Sequence, residues 1–348
     1  DFENEMKRTK DSQLHYAKFI SSLVNEKGFL HCDSKAVGRI IEYSSRRAEH
    51  QKKLSLHASE ISNLLRESNY WAKEQRSTMI RQSHVERALD SHAHRNGRFK
   101  DRVFDTIQDG STLLSVQGQV VGQINALSVY STAGVEFGMP NRVTANCYFG
   151  DGDITDIEHH AKLGGNIHTK GVLILSSYLS SLFAKDDMMP LSASIAFEQS
   201  YGEVDGDSAS LAEFCALISS LAEVPIFQHF AVTGSVNQFG EVQPVGGLNE
   251  KVEGFFDACE ILGLNGEQGV LLPASNVDNL MLNQKVLSAV KKGQFKIFPI
   301  NHVNQALELL TGMNVGKLGK KGYTAGSIFD LINTKLAVLR KGKESEIG

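Results

Sequence analysis

Two short glycine turns carry residues that could hydrolyse an amide bond. Ser208 lies in the acid-flanked turn Val204–Ser210, which leads directly into an apolar helical run, so its hydroxyl is expected at a helix N-terminus. Lys251 follows a second glycine turn, Pro244–Glu250, which opens another helix. Serine can act as a nucleophile and neutral lysine as its base, while free backbone N–H groups can hold an oxyanion. The pair therefore indicates a serine-lysine hydrolase.

The lysine can act as a base only if much of it is neutral. Free lysine has a pKa near ~10.4, so a largely neutral amine at neutral pH requires a pKa about 3 units lower, which burial can produce. Leu248 and Val252 flank Lys251, and the strand Phe230–Val232, expected to face it, is apolar. Thr233 at the end of that strand is expected to orient the amine.

Three acidic residues accompany the serine. A carboxylate close to Lys251 would stabilise its ammonium form, so an Asp205–Lys251 ion pair is our hypothesis for an idle state that must open before catalysis. Asp207, directly before the nucleophile, is expected to cap the following helix or to interact with its dipole. Glu198, on the strand before the turn, is either an active-site contact or a surface carboxylate.

A simpler interpretation of both turns stays open at this point. A Gly-Asp-Ser turn is a common helix cap, and a glycine turn followed by lysine is a common helix start with a solvated amine. Spacing alone does not decide between a catalytic pair and two ordinary helix starts.

The histidines give no prediction of a metal site. His159 and His160 are adjacent on a predicted strand and would point to opposite faces, which is poor geometry for joint ligation. His168 is the third histidine that could suggest a metal site or a Ser/His/Asp triad.

Basic and sulfur-containing residues also favour structural roles. Lys317, Lys320 and Lys321 form a small basic cluster that is typical of a solvated loop. Cys215 and Cys259 lie on predicted helix faces and are expected in the core. The four cysteines are far apart and include no CxxC pair, which favours a reduced, cytoplasmic protein.

Composition excludes several classes of protein. The chain has 348 residues, 41% of them hydrophobic, which is enough for two domains with packed cores. A net charge of -4 makes strong non-specific nucleic-acid binding unexpected. No stretch is apolar enough for a membrane span. The start, Asp1–Met6, resembles neither a signal peptide nor an initiator methionine, so we expect a piece of a longer protein.

The pattern of elements predicts an α+β protein. Apolar residues at helical spacing predict a four-helix bundle in the proline-free first part. A connecting helix and a mixed α/β region follow. In that region we predict strands at Thr112–Val116 and Ile154–Leu163, a helix at Ser208–Glu223 and, after a glycine- and lysine-rich stretch, one more amphipathic helix as an appendage.

At Ser208 and Lys251 the sequence closely resembles the Lon protease family, in its B-type branch. The nucleophile motif of that branch is Gly-Asp-Ser-Ala-Ser, which stands here at Gly206–Ser210. Further matching motifs occur in the family's order and spacing: Asn166–Val172, Phe197–Tyr201, Thr233–Val236, Gly240–Gly247 and Asn249–Lys251. The resemblance covers roughly residues 96–312.

This resemblance implies an endopeptidase that acts on unfolded or damaged protein. Its expected fold is the Lon proteolytic domain, which is similar to domain 2 of ribosomal protein S5, assembled as a hexameric ring around an inner chamber. Carried over by motif, Ser208 is the nucleophile and Lys251 the base and later the acid. Thr233 would support the lysine, and backbone N–H groups around Asp207 and Ser208 would form the oxyanion hole.

The helical part resembles the lid subdomain of AAA+ ATPases. The expected organisation is a lid at 1–95, a proteolytic domain at 96–312 and an extension at 313–348. No GxxxxGK[ST] loop occurs, and the B-type lid arginine is replaced by the run His57–Ser59. We therefore expect no cofactor in this chain, with ATP bound only through a parent ATPase core.

Two other functional classes remain as alternatives. One is a proteolytically silent oligomeric scaffold that uses the Lon fold for assembly. The other is an ATP-driven chaperone or DNA-associated factor, against which the missing phosphate loop argues.

Overall fold

The computed structural model describes residues 3–132, 135–184, 189–320 and 322–347. Its chain forms two compact units. The first comprises Asp1–Val103, Ser131–Glu136 and Asp278–Asn283, and the second comprises Phe104–Tyr130, Phe137–Val277 and Gln284–Gly348.

The first unit contains the predicted four-helix bundle. Its core is mainly apolar, with Ile20, Ile40 and Leu65 almost completely buried, and a few polar side chains such as Ser44 and Ser68 are buried beside them. A short antiparallel pair of strands, β1 and β2, accompanies the helices. The third helix begins directly after His57, in the run that lacks the lid arginine. The bounds of these elements are β1 Glu5–Lys7, α1 Lys10–Lys27, α2 Ser34–Arg47, β2 Lys53–Ser55, α3 Ala58–Glu74 and α4 Gln82–Asn96.

A seven-stranded mixed sheet organises the second unit. The strands follow the order β13-β12-β9-β4-β5-β7-β6. Strands β4, β9, β12 and β13 run parallel to one another, whereas β5 and β7 pair with each other in the antiparallel direction. Strand β6 pairs in parallel with β7 at the edge. The sheet strands are β4 Gln123–Thr132, β5 Val135–Phe149, β6 Ile154–Asp156, β7 Leu191–Phe197, β9 Phe230–Val232, β12 Gly269–Pro273 and β13 Lys296–Ile300.

Three two-stranded pairs and eight helices complete the described elements. The pairs are β3 Gln119–Val120 with β8 Ile226–Phe227, β10 Ser235–Val236 with β11 Val242–Gln243, and β14 Leu318–Gly319 with β15 Gly322–Tyr323. The helices are α5 Arg98–Gln108, α6 Ile157–His160, α7 Asn166–Phe183, α8 Ser210–Ala222, α9 Leu248–Leu262, α10 Gln284–Lys291, α11 Val303–Thr311 and α12 Ile328–Ile347, with a 3₁₀ turn at Ala274–Asn279.

Helix α8 lies at the centre of this unit. Every residue from Ser210 to Ser219 is buried, so the helix is enclosed on all sides rather than along one apolar face. It contacts α7, α11, α12 and strand β7. Because α8 begins just after Ser208, the packing around this helix also fixes the position of the turn that carries Ser208.

Two predicted strands are wrong. Residues 112–116 form no strand, because the N–H of Thr112 bonds to the carbonyl of Thr106 at the end of α5 and that of Leu113 bonds to the side chain of Gln199. The predicted strand Ile154–Leu163 is extended only to Asp156 and then turns into α6. There the carbonyl of Glu158 accepts two backbone N–H groups, which closes a helical turn in place of strand pairing.

The predicted C-terminal helix exists as α12. Its apolar residues Ile328, Phe329, Ile332 and Leu336 are buried in the main core of the second unit, and the helix contacts α8. It is therefore an integral layer of this unit and not the appendage that the sequence suggested.

Candidate active site

The loop between β7 and α8, residues 198–209, presents Ser208 and is called the serine loop below. Gly206 has a φ of 100°, a backbone conformation that favours glycine. The carbonyl of Ser208 accepts hydrogen bonds from the N–H of Gly234 at 2.8 Å and the hydroxyl of Thr233 at 3.3 Å. Helix α8 begins at Ser210, two residues later than predicted. The serine is thus fixed by its carbonyl while its hydroxyl stays available.

Lys251 reaches the serine from the first turn of α9. The helix starts after Gly247, whose φ is 64° and whose hydrogen atom faces Val129 where a Cβ would lie 2.5 Å from a methyl group. The lysine side chain is only 3% exposed. Its Nζ lies 2.9 Å from Oγ of Ser208, which is hydrogen-bond distance. The structure therefore brings the two predicted residues into direct contact.

The electrostatics of Lys251 suit a base. Burial lowers the pKa of its amine from 10.5 to about 8, and the nearby charge of Asp207 opposes this shift without cancelling it. At pH 7.5 roughly a quarter of such an amine is neutral, compared with about 0.1% of a free lysine. In the neutral form the hydroxyl of Ser208 can donate its hydrogen bond to Nζ.

Asp205 does not form its predicted ion pair, and Asp207 does not form the predicted helix cap. The Oδ1 atom of Asp205 accepts the N–H of Ile167, at the start of α7, at 3.1 Å, so its carboxylate is held there rather than in the predicted ion pair with Lys251. Asp207 accepts the hydroxyl of Ser235 at 2.8 Å. It does not cap α8, because Ala209 precedes that helix and no side chain caps it.

Thr233 and Glu198 also lie elsewhere than expected. Thr233 is completely buried, and its hydroxyl bonds to the carbonyl of Ser208 instead of the lysine amine. Glu198 is exposed at the end of β7, where its carboxylate accepts the hydroxyl of Thr144 at 2.5 Å. Thr233 therefore positions the backbone of Ser208, and Glu198 lies on the surface.

Two segments of the chain match known protein families. Residues 31–95 match the family described as archaeal LonB, AAA+ ATPase LID domain. Residues 195–312, which include both Ser208 and Lys251, match the Lon protease (S16) C-terminal proteolytic domain. The chain belongs to the Lon protease family. The predicted resemblance and the α+β fold class are thereby confirmed.

Named relatives agree with this assignment to the Lon family. A Lon protease homolog of Escherichia coli K12 is 49% identical over 227 residues, which are 65% of this chain and 39% of that protein. A Lon protease homolog of Haemophilus influenzae is 38% identical over 88% of this chain and 50% of its own length. The archaeal Lon protease of Archaeoglobus fulgidus is 27% identical over 87% and 46% respectively. The chain spans half or less of the length of these relatives.

The sequence reasoning missed the glycines that seat α9 of this Lon-type domain. A Cβ on Gly138 of β5 would lie 2.0 Å from the carbonyl oxygen of Glu250 and 2.6 Å from Cα of Lys251. A Cβ on Gly254 would lie 2.0 Å from the carbonyl oxygen of Gly138. Strand and helix backbones therefore touch beside the lysine. A glycine inside a strand can signal such an approach. Ser235, the partner of Asp207, lies in the matched run Thr233–Val236, but nothing in that run indicated this contact.

The remaining candidates lie apart from the serine and the lysine. His159 and His160 are exposed on helix α6 and not on a strand. His168 is buried on α7 beside two carboxylates. Of the basic cluster, Lys317 and Lys320 are exposed, and Lys321 lies outside the described residues.

The two helix cysteines have the core positions predicted for them. Cys215 on α8 and Cys259 on α9 are completely buried, and burial raises the pKa of both thiols. Neither therefore offers a thiolate for chemistry. Within the described part of the chain, no helix combines the length and the apolar character that crossing a bilayer would require.

Proposed function

We propose that this chain is a serine-lysine endopeptidase of the Lon type that cleaves peptide bonds in unfolded proteins. The observation that carries the proposal is the 2.9 Å contact between a buried lysine amine, with its pKa lowered to about 8, and the hydroxyl of Ser208. A lysine that merely started a helix would extend into solvent and keep its ordinary pKa. The membership in the Lon family supports the same reaction.

The reaction divides between the two residues. The neutral amine of Lys251 takes the proton of Ser208 as Oγ forms a bond to the substrate carbonyl carbon. The resulting ammonium group gives that proton to the leaving nitrogen, and the peptide bond breaks to leave an ester on Ser208. Lys251 then removes a proton from water, which attacks the ester, and the protonated amine returns the proton to Oγ as the acid product leaves.

Backbone groups supply the proposed oxyanion hole. Among the described residues, no hydrogen bond is formed by the N–H of Asp207 or of Ser208, so both donors are available to a developing negative charge. The two hydrogen bonds to the Ser208 carbonyl hold this stretch of backbone in place. Preorganised donors of this kind stabilise the transition state by roughly 3 kcal/mol each.

We further propose that substrates reach the site through a homo-oligomeric ring, as the family resemblance implies, and that any ATP is bound by a parent ATPase core. This chain contributes no phosphate-binding loop of its own. We also carry the cytoplasmic location forward as a proposal.

Hydrolysis of casein and of a fluorogenic peptide tests the function. We expect Ser208→Ala and Lys251→Ala to lower kcat by at least about a thousandfold, because each removes one half of the proton-transfer pair. Ser180→Ala and Lys292→Ala are matched controls at exposed positions of the same unit and should retain activity. Equal rates in the wild type, Ser208→Ala and Lys251→Ala would contradict the proposal and favour a silent scaffold.

A further inference from the structure

Four ionisable side chains that take no part in the proposed reaction are buried together in the second unit. Asp156 ends β6, Glu158 lies on α6, His168 on the first turn of α7 and Glu213 on the first turn of α8. Their exposed fractions are 6%, 3%, 2% and 1%. Buried carboxylates are rare unless they are paired or bind a metal, so this cluster requires a physical explanation.

Three of these side chains converge on one point. A ligand atom from each of Asp156, Glu158 and His168 lies within 4.8 Å of the other two, and Nε2 of His168 is 3.3 Å from Oδ2 of Asp156. Within the described residues, both Oδ atoms of Asp156, Oε2 of Glu158 and Nε2 of His168 have no hydrogen-bond partner. Buried polar atoms are normally hydrogen-bonded, yet here four of them face one another.

The surrounding contacts orient these atoms inward. The other carboxylate oxygen of Glu158 accepts the N–H of Phe197 at 2.8 Å, which leaves Oε2 free to face the cluster. The other ring nitrogen of His168, Nδ1, lies 3.7 Å from Oε1 of Glu213. That distance is too long for a hydrogen bond, and Oε1 of Glu213 likewise has no hydrogen-bond partner within the described residues.

The negative charge of the buried carboxylates also favours a bound cation. Three buried carboxylates face one imidazole, so even a protonated His168 would offset only one of up to three negative charges. A divalent cation with neutral imidazole would offset two of them. Leaving such charges uncompensated in the interior costs several kcal/mol for each ion.

We propose that Asp156, Glu158 and His168 form a binding site for one divalent transition-metal ion, Zn²⁺ or Mn²⁺. One imidazole with two carboxylates suits these ions, whereas Mg²⁺ prefers oxygen ligands and retains several waters. No metal site was predicted from the sequence, because His159 and His160 would point to opposite faces of a strand. The structure instead takes one ligand from each of three elements.

The site would tie together the elements beneath the serine loop. Between α6 and α7 the chain runs beside that loop, with the N–H of Val204 bonded to the carbonyl of Leu163 and the N–H of Gly165 bonded to the carbonyl of Val204. Asp205 accepts the N–H of Ile167, the residue directly before His168. A metal-bound His168 would therefore hold this contact in register.

Metal binding by the untagged chain tests the proposal directly. The chain is stripped with EDTA, checked for its fold by circular dichroism and titrated calorimetrically with Zn²⁺ and with Mn²⁺, and the metal content of the reloaded protein is measured by mass spectrometry. We expect one ion per chain. Asp156→Asn and His168→Asn should each weaken binding more than tenfold. His159→Asn, which removes an exposed histidine directly next to the ligand Glu158, should leave it unchanged.

The wild type alone can overturn the proposal. If the folded, stripped wild type takes up neither ion at one per chain, the cluster is held by shared protons and not by a metal. Uptake that His159→Asn abolishes, or that both ligand variants retain, would equally contradict the assignment. Should a ligand variant not fold, X-ray absorption of the zinc-loaded wild type decides, because the site requires a mixed nitrogen and oxygen coordination shell without sulfur.

Discussion

Lys251 combines nearly complete burial with a charge that the fold disfavours. Its amine faces one hydroxyl, and the opposing effect of Asp207 is smaller than that of burial. Asp207 is in turn bonded to Ser235, which spreads its negative charge over a neutral donor. The pKa of Lys251 therefore depends on how deeply its amine is buried and on how strongly the charge of Asp207 opposes the effect of burial.

The pH dependence of peptide cleavage should report the Lys251 pKa. Because the neutral amine is the active form, kcat/KM should rise with pH to a plateau, with a midpoint near the pKa of about 8. Asp207→Asn removes a negative charge that raises this pKa, so the midpoint should move to lower pH. Stopped assays from pH 6 to 10 measure both curves.

Glu198→Gln is the control for that experiment, since its carboxylate is exposed and bonded to Thr144. Its midpoint should equal that of the wild type. An Asp207→Asn midpoint that stays in place or rises would contradict the assignment of Asp207 as the opposing charge.

Replacing Lys251 by methionine should stabilise the fold while it abolishes activity. The folded pKa of about 8 lies below the unfolded value, so the unfolded chain binds more protons between about pH 8 and 10.4, and the free energy of unfolding rises with pH across that window. At pH 7 the wild type must bury a largely charged amine, which we expect to cost about 1–3 kcal/mol of folding stability. The methionine variant does not carry this cost. Urea midpoints at pH 7 and pH 9.5 measure it, and a variant less stable than wild type at pH 7 would refute the idea.

At the scale of elements, the site depends on how closely α9 approaches β5. The glycines at positions 138 and 254 allow the two backbones to touch, and Lys251 lies between the contacts. Helix α8 is fixed independently by its burial on all sides. The distance between Ser208 and Lys251 is thus set by the positions of helices α8 and α9. Each helix is held in place by its packing and not by flexible side chains.

Gly254→Ala tests the close approach. In an open helix this change gains up to about 1 kcal/mol, but here the added carbon would lie 2.0 Å from a carbonyl oxygen. We expect a net loss of about 1–3 kcal/mol and a lower kcat, because α9 must shift. Gly38→Ala in α2, where nothing lies within 4 Å, is the matched control and should be neutral or stabilising. Thermal midpoints that move alike in both variants would count against the packing argument.

The elements also show which predictions the sequence could support. Ser208 and Lys251 were identified because short glycine turns before apolar helices restrict where a side chain can point. The sequence could not show which of Asp205 and Asp207 acts on the charge of Lys251. That depends on the positive φ of Gly206 and on the contacts of the two carboxylates with α7 and Ser235. Periodicity likewise could not reveal α6, because four residues are too few to show a helical repeat.

On the scale of the whole molecule, the four-helix bundle and the sheet have separate hydrophobic cores. Membership in the Lon family was readable from motifs that are distant in sequence. The buried group around His168 was not, because its members come from four elements whose contacts only the fold defines.

Because the two units have separate hydrophobic cores, a substitution that destabilises the bundle should leave peptide cleavage nearly unchanged. Leu65→Ala removes a completely buried side chain from the bundle and should cost that unit about 2–5 kcal/mol. Peptide cleavage by Ser208 at 25 °C should remain within about twofold of wild type, because the serine, the lysine and their supporting helices draw on the other core. Tryptophan fluorescence of Trp71 follows the unfolding of the bundle, and loss of cleavage in step with that signal would contradict the prediction.

Helix α12 has a consequence for the synthesis of this protein. It packs against α8, the helix that follows Ser208, and lies more than a hundred residues further along the chain. A nascent chain that already exposes both Ser208 and Lys251 still lacks the wall that encloses α8. We therefore expect the proposed peptidase activity to be absent during translation and to appear only once α12 has left the ribosome and packed against α8.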